Sequence, residues 1–140
     1  MAVMPRKVKY RKAIKGKIRG IATSGNKLHF GEYGLKAIEN GIIRANHIEA
    51  CRVAAARKMK GSGKIWINIF PYKPVTKKPA ETRMGKGKGD LSHWICPIYR
   101  GKMLFEISGV PEEFAKIVCR LIAFKLPVRT RFVTRMGAHA

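Results

Sequence analysis

Acidic residues are scarce in this sequence, and the shortage restricts what the chain can bind. Among 140 residues, 8 are Asp or Glu and 30 are Lys or Arg, which gives a formal net charge of +22. A domain with this charge repels itself, and a polyanion that covers it relieves the repulsion. Because each neutralised phosphate also releases condensed counterions, nucleic acid is the first candidate partner. An anionic membrane is the second and acidic proteins are the third.

Long apolar runs and paired cysteines are also missing. No apolar run approaches the roughly 20 residues that cross a bilayer, and none follows the basic start, so neither a membrane span nor a secretory signal is predicted. The three cysteines, Cys51, Cys96 and Cys119, lie far apart and outside any Cys-x-x-Cys pair. This spacing argues against a disulfide framework and is typical of a reducing compartment.

Patterns typical of catalysis or metal binding are weak. The scattered acids offer no evident carboxylate pair, and Glu112-Glu113 suits a helix start better than an active site. His47-x-x-x-Cys51 and His93-x-x-Cys96 come nearest to a zinc site, but structural zinc sites usually contain paired cysteines. No Ser or Cys lies in a nucleophile elbow. We therefore predict no enzyme, cofactor, metal site or small-molecule substrate.

The apolar content of 46% is enough for one modest core, and the order of elements predicts a single α+β domain with a mixed sheet. In chain order, the pattern predicts a short strand at Leu28 and Phe30, a helix over 46–60, a strand over 65–70, a hairpin of 94–99 with 103–107, a helix from Val110 to Pro127 and a strand over 128–135. Asn46 and Glu49 resemble a capping box for the first helix. Pro97 restricts its strand to an edge or a bulge.

Two basic segments stand outside this pattern. Residues 1–20 carry eight basic side chains and no acid, which indicates an extended tail that becomes ordered on its partner. Residues 71–90 contain three prolines and three glycines without hydrophobic periodicity, which predicts a long loop. The expected division is therefore a tail over 1–20, an RNA-binding domain over 21–135 that includes this loop, and a C-terminal end over 136–140.

The sharpest motif within the loop is Arg-Met-Gly-Lys-Gly-Lys-Gly over 83–89. Alternating glycines let backbone N–H groups approach another backbone closely, while the lysines supply positive charge. The spacing fits neither a P-loop nor a dinucleotide-binding fingerprint. A solvated flexible loop is the alternative, but the length and charge of the segment favour contact with RNA.

Five ordered motifs resemble a known family, the bacterial-type large-subunit ribosomal protein sixteen, including its plastid and mitochondrial members. They are the basic start Pro5–Lys12, Ile48–Arg52 in the first helix, Gly63–Ile67 with Ile69–Pro71, the Arg83–Gly89 loop followed by Trp94, and Lys125–Thr130. Since the basic start matches the family's own tail, we do not interpret it as a transit peptide. The chain departs from the family pattern at Arg44, Asn68, Tyr72 and Pro97.

The resemblance implies a hammerhead-type α+β fold with a mixed, mostly antiparallel sheet and two main helices. It implies a structural constituent of the large ribosomal subunit that binds large-subunit rRNA near the tRNA sites and the peptidyl-transferase centre. Such a protein helps to position aminoacyl-tRNA and to complete subunit assembly. Its expected partners are rRNA, tRNA and neighbouring ribosomal proteins. Its expected location is the ribosome, in bacterial cytoplasm or in the matrix or stroma of an organelle.

The candidate residues follow from these segments. Those predicted to bind rRNA are Arg6, Lys7, Lys9, Tyr10, Arg11, Lys12, Lys15, Lys17, Arg19, Arg52, Arg57 and Lys58. Those predicted in the loop near the tRNA and the functional core are Lys77, Lys78, Arg83, Met84, Gly85, Lys86, Gly87, Lys88 and Gly89. The alternatives are a free-standing cationic protein that binds any nucleic acid or a membrane, and a small metal-dependent enzyme that acts on RNA.

Overall fold

Two sheets and two helices make up the part of the chain that the computed structural model describes, residues 4–135. The elements are β1 Tyr33–Ala37, β2 Gly41–Arg44, α1 Ala45–Met59, β3 Lys64–Ile67, β4 Lys73–Lys77, β5 Asp90–Ile98, β6 Met103–Ser108, α2 Glu112–Lys125 and β7 Thr130–Thr134. The α+β class with two main helices is confirmed. The predicted C-terminal end over 136–140 lies outside the described residues.

The strands form two sheets, and the predicted hairpin is wrong. The first sheet has the order β3-β6-β1-β7 and the second has the order β2-β5-β4. All these pairings are antiparallel. β5 and β6 are neighbours in sequence but belong to different sheets. The physical reason is burial, because residues 103–107 of β6 are buried on both faces and need a strand on each side.

The first helix buries the side on which its apolar residues recur at helical spacing, but it begins one residue earlier than predicted. Its buried residues are Ile48, Cys51, Ala55 and Met59. The N-cap is Arg44, not Asn46, and the backbone N–H of Arg44 donates to Nδ1 of His47 at 3.2 Å. A histidine at the third helical position thus takes the role that a glutamate usually has in a capping box.

Most of the large apolar side chains of the second helix pack toward the core: Val118 and Ile122 are buried, and Phe114 is partly buried against them. Its buried residues are Ala115, Val118, Cys119 and Ile122. Ile117 of the same helix is instead 45% exposed. The small side chains of Ala115 and Cys119 permit close approach to α1, where the thiol of Cys51 lies 3.6 Å from the carbonyl oxygen of Ile122.

Part of the predicted long loop is a strand. Residues 73–77 form β4 at the edge of the second sheet, where Pro74 needs no partner on its outer side. The remaining segment, 78–89, lies outside any helix or strand. Pro97 lies inside β5 opposite Ile42 of β2, but β4 begins its register only at Ile95. The strand at Pro97 is therefore flanked on one side only, as a proline requires.

No strand forms at Leu28 and Phe30. Residues 25–31 instead form an irregular segment that contacts β6 and β3 of the first sheet, which we call the strap, and β1 follows it. The carboxylate of Glu106, which is fully buried, fixes the strap. It accepts hydrogen bonds from the backbone N–H groups of Phe30 and Gly31, both at 2.7 Å, and of His29 at 3.2 Å. A negative charge thus satisfies three amide donors that the missing strand pairing would otherwise leave open.

Candidate nucleic-acid interface

The basic tail and the glycine loop lie side by side, although more than 60 positions separate them in sequence. The ammonium group of Lys12 donates to the carbonyl oxygen of Lys88 at 3.2 Å, and the ammonium group of Lys88 donates to the carbonyl oxygen of Ala13. Lys73 of β4 donates in the same way to the carbonyl oxygen of Lys15 at 2.5 Å. Backbone carbonyl groups therefore hold the two basic segments together despite the repulsion between their charges.

The described part of the tail, residues 4–20, contains no helix or strand. All eight of its basic side chains are exposed: Arg6, Lys7, Lys9, Arg11, Lys12, Lys15, Lys17 and Arg19. Tyr10 is 72% exposed, and the ammonium group of Lys9 lies 5.7 Å from the centre of its ring. The tail therefore presents a row of cations and one aromatic ring to solvent.

The tip of the glycine loop has an unusual backbone. Gly85, Lys86 and Gly87 have φ values of 99°, 58° and 96°, three left-handed residues in succession. A Cβ added to Gly85 or Gly87 would meet nothing within 4 Å. The two glycines are therefore required by the backbone conformation, and the space around them is open to another molecule.

The base of the loop is packed more tightly. A Cβ at Gly89 would lie 2.9 Å from the carbonyl carbon of Lys77, so this glycine is required by the close approach of two backbones. Lys78 donates to the carbonyl oxygen of Gly85 and so closes the loop on itself. Arg83 and Met84 lie at the exposed end, where Met84 is 91% exposed. Two of the predicted lysines, Lys78 and Lys88, thus hold the loop and the tail in place through backbone oxygens.

The three predicted helix residues differ in their availability. Arg52 forms a bidentate pair with Glu49, with N···O distances of 3.0 and 2.5 Å. These hydrogen bonds lower the pKa of Glu49 and raise the pKa of Arg52. Arg57 and Lys58 are exposed in the last turn of α1. Arg52 is thus partly neutralised, whereas Arg57 and Lys58 have no ion pair within residues 4–135.

Sequence reasoning missed a groove where the tail crosses the second sheet, which we call the tyrosine groove. It is lined by Val8, Lys9, Tyr10, Lys12, Ala13, Lys15, Gly16, Lys17, Ile18, Tyr72, Lys73, Pro74, Pro97 and Tyr99. No acid is among these residues. Tyr72 and Tyr99 are 58% and 39% exposed. Partial burial, with added repulsion from Cys96 and Tyr99, raises the pKa of Tyr72.

No motif could have found this groove, because its residues come together only through the register of β4 with β5 and the path of the tail. Two departures from the family pattern, Tyr72 and Pro97, lie in it. A third, Asn68, donates a hydrogen bond to the Glu106 carboxylate at 2.7 Å. The fourth, Arg44, is the N-cap of α1. All four departures therefore have defined positions in the fold.

Neither a metal centre nor a membrane span is found in the part of the chain that the structure describes. Within residues 4–135, no three side chains of His, Cys, Asp or Glu come together as metal ligands would. No helix in that range is long and apolar enough to cross a bilayer. Burial raises the pKa of the Cys51 thiol to about 12, so this thiol is protonated at neutral pH.

Comparison with known proteins places the chain in a family. A family model described as Ribosomal protein L16p/L10e matches residues 5–133. The chain belongs to this family. Large ribosomal subunit protein uL16 of Borrelia recurrentis (strain A1) is 57% identical over 131 residues, which cover 94% of this chain and 95% of the relative. The proteins of the same name from Borrelia duttonii (strain Ly) and Borreliella burgdorferi (strain ZS7) are 56% and 55% identical over the same shares.

The family resemblance read from the five motifs is thus confirmed. The match covers the tail from residue 5, both helices, the glycine loop and nearly all of β7. The family consists of ribosomal proteins, and its bacterial-type members are the ones that this chain resembles over nearly their whole length. The roles of single residues in RNA binding remain predictions.

Proposed function

We propose that the chain is a structural constituent of the large ribosomal subunit that binds large-subunit rRNA through its tail and its glycine loop. It acts near the tRNA sites and the peptidyl-transferase centre, where it helps to position aminoacyl-tRNA and to complete subunit assembly. Family membership supports this proposal. The observation that carries it is a pair of hydrogen bonds, from Lys12 to the backbone of Lys88 and from Lys88 to the backbone of Ala13, which join two basic segments into one surface.

The chemistry of this surface suits a phosphate backbone. Arg83 and Lys86 have no hydrogen bond or ion pair within residues 4–135, so their charges are available to a partner. The left-handed backbone at Gly85–Gly87 leaves open space into which a phosphate can approach closely. Arginine can grip phosphate bidentately or stack on a base, and lysine acts as a point charge. Several such contacts give strong, salt-dependent affinity.

The remaining expectations follow from this role. The partners are rRNA, tRNA and neighbouring ribosomal proteins, and the chain resides on the ribosome. The names of the relatives from Borrelia and Borreliella favour a bacterium over an organelle. We expect no catalytic activity from the purified chain, because neutralising and positioning RNA requires no reacting group.

The test is sedimentation of a cell extract through a sucrose gradient, with the protein followed by antibody. We expect it to travel with large subunits and ribosomes and to leave only at high salt. A variant that combines Arg83→Ala, Lys86→Ala and Lys88→Ala should show reduced incorporation into subunits or reduced occupancy of the A site by tRNA. The refuting result is a triple variant with unchanged growth and unchanged A-site tRNA occupancy.

A matched control removes the same charge elsewhere. Arg120 and Lys125 are exposed cations on α2, which packs on β1 and β7, and Arg131 is an exposed cation on β7 in the first sheet. Their combined replacement by Ala should leave A-site occupancy closer to that of the unchanged chain. An equal defect in both triple variants would show that total charge, and not the glycine loop, determines incorporation. Equal distribution of the unchanged chain over all nucleic acid would favour the free cationic binder.

A further inference from the structure

The tyrosine groove is lined by both lysines and tyrosines, and a need for positive charge explains only the lysines. Its rim carries lysines from the tail, and its walls carry the rings of Tyr10, Tyr72 and Tyr99. Phosphate neutralisation requires the lysines but gains nothing from three partly exposed rings. Exposed tyrosine rings beside cations are instead typical of surfaces that stack nucleobases.

The groove is held open by the chain itself. Lys73 donates to the carbonyl oxygen of Lys15, which fixes the tail against β4 on one side of the groove. Lys12 and Lys88 fix the tail against the glycine loop further along. These lysines thus place the tail against β4 and the glycine loop, and this arrangement forms the groove.

Other cations at the rim are available. Lys9 lies over the ring of Tyr10, and Lys15 and Lys17 have no hydrogen bond from their ammonium groups within residues 4–135. With no acid in the lining, an anion meets no repulsion there. Partial burial raises the pKa of Tyr72, so its ring adds no negative charge to the groove.

We propose that the tyrosine groove binds an unpaired segment of single-stranded RNA, with nucleobases stacked on the rings of Tyr72 and Tyr99 and phosphates held by the tail lysines. This inference rests on the proposed function and names the form of RNA that one site takes. Duplex RNA does not fit the chemistry, because its bases are already stacked and its deep groove is closed to side chains. An acidic peptide would satisfy the lysines but would leave the rings without a stacking partner.

The experiment measures binding of the full chain to fluorescein-labelled hexauridylate, to an RNA hairpin and to an abasic oligomer of the same phosphate number as the hexamer. Combined Tyr72→Ala and Tyr99→Ala should lower affinity for the hexamer about tenfold or more, because stacking accounts for most of the base-dependent affinity. The salt dependence should be unchanged, since no charge is removed. Affinity for the hairpin and the abasic oligomer should change far less.

Two controls separate stacking from damage to the fold. Tyr72→Phe keeps the ring and should bind the hexamer as the unchanged chain does. Phe124→Ala removes a ring that is 76% exposed on α2, outside the groove, and should have no effect. If the double variant does not fold, Tyr10→Ala serves instead, because its ring is 72% exposed in a segment without helix or strand. It should lower hexamer affinity several-fold without changing hairpin affinity.

The proposal is overturned if the tyrosine variants bind the hexamer as tightly as the unchanged chain. It is also overturned if hexamer, hairpin and abasic oligomer lose affinity equally, or if polyglutamate competes as well as the hexamer does. These outcomes are distinct from failure of the proposed function. If the chain sediments with large subunits but its hexamer affinity does not depend on the tyrosines, only the proposal for the groove is refuted. If the chain binds the hexamer but does not sediment with large subunits, only the ribosomal role is refuted.

Discussion

The buried carboxylate of Glu106 gives the sharpest test of how the fold is held together. Its side chain is fully buried and accepts three hydrogen bonds of 2.7 Å, from Phe30, Gly31 and Asn68. A hydrogen bond to a charged group contributes about 1 kcal/mol more than a neutral one. Glu106→Gln keeps the shape but removes the charge and replaces one acceptor oxygen by an NH2 group, so these three bonds together should weaken by about 3 kcal/mol or more.

The assay is urea or thermal unfolding followed by tryptophan fluorescence. Trp66 lies opposite Glu106 in the register of β3 with β6 and stacks on Phe30 of the strap with ring centres 6.0 Å apart, so it reports on this region. A loss of about 3 kcal/mol corresponds to a melting temperature roughly 10 °C lower for a domain of this size. The control Glu81→Gln removes the same charge from an exposed loop position and should change stability by less than about 0.5 kcal/mol.

The pH dependence provides a second readout of the same group. Burial raises the pKa of Glu106, but the hydrogen bonds from Gly31, His29, Phe30 and Asn68 together outweigh burial, and the pKa lies below its ordinary value of 4.5. The carboxylate therefore stabilises the fold fully above the pKa of the unfolded chain and loses this effect as pH falls through the folded pKa. Glu106→Gln should flatten this acid limb. Equal stability of the variant and the unchanged chain at pH 7 would refute the reasoning.

Three further predictions concern packing, thiol chemistry and charge. Gly31→Ala would bring its Cβ within 2.7 Å of a backbone oxygen of β6, so it should destabilise the fold by about 2 kcal/mol in urea unfolding. Burial raises the pKa of Cys51 and of Cys119 to about 12. Both thiols should therefore resist a disulfide reagent at pH 8 until urea is added. Prompt reaction in the native state would contradict their burial. Arg57→Ala should reduce the salt dependence of RNA binding by roughly one ion. Arg52→Ala should reduce it less, because that side chain is paired with a glutamate one turn earlier, and equal slopes would mean that the pair opens on binding.

Several elements could be predicted because their signals are local. The buried face of α1 follows from apolar residues at helical spacing, and its end follows from basic residues before Gly61. The start of α2 follows from Pro111 with two acids after it. The glycine loop was recognisable as a motif, and its positive φ values match the reason for which glycine occurs there.

Other predictions failed because longer-range contacts decided the outcome. The strap resembles a strand in its alternation, yet the buried charge of Glu106 binds its amides and removes them from sheet pairing. The N-cap of α1 was predicted wrongly because the acceptor at the third helical position is a histidine, His47, whereas the usual capping box has Glu or Gln there. β4 was missed because it contains Pro74 and lies between two further prolines, a pattern typical of a loop, whereas the edge of a sheet tolerates a proline.

By itself, the sequence determined the class of fold, the cationic character of the chain and the segments that carry its charge. These properties depend on composition and on spacing within one segment. Only the tertiary structure decided that β5 and β6 part into different sheets and that the tail lies against the glycine loop. The tertiary structure also brings Tyr10, Tyr72 and Tyr99, which are distant in sequence, into one groove. Such contacts depend on strand register and on where buried groups find partners, and both are set by the whole chain at once.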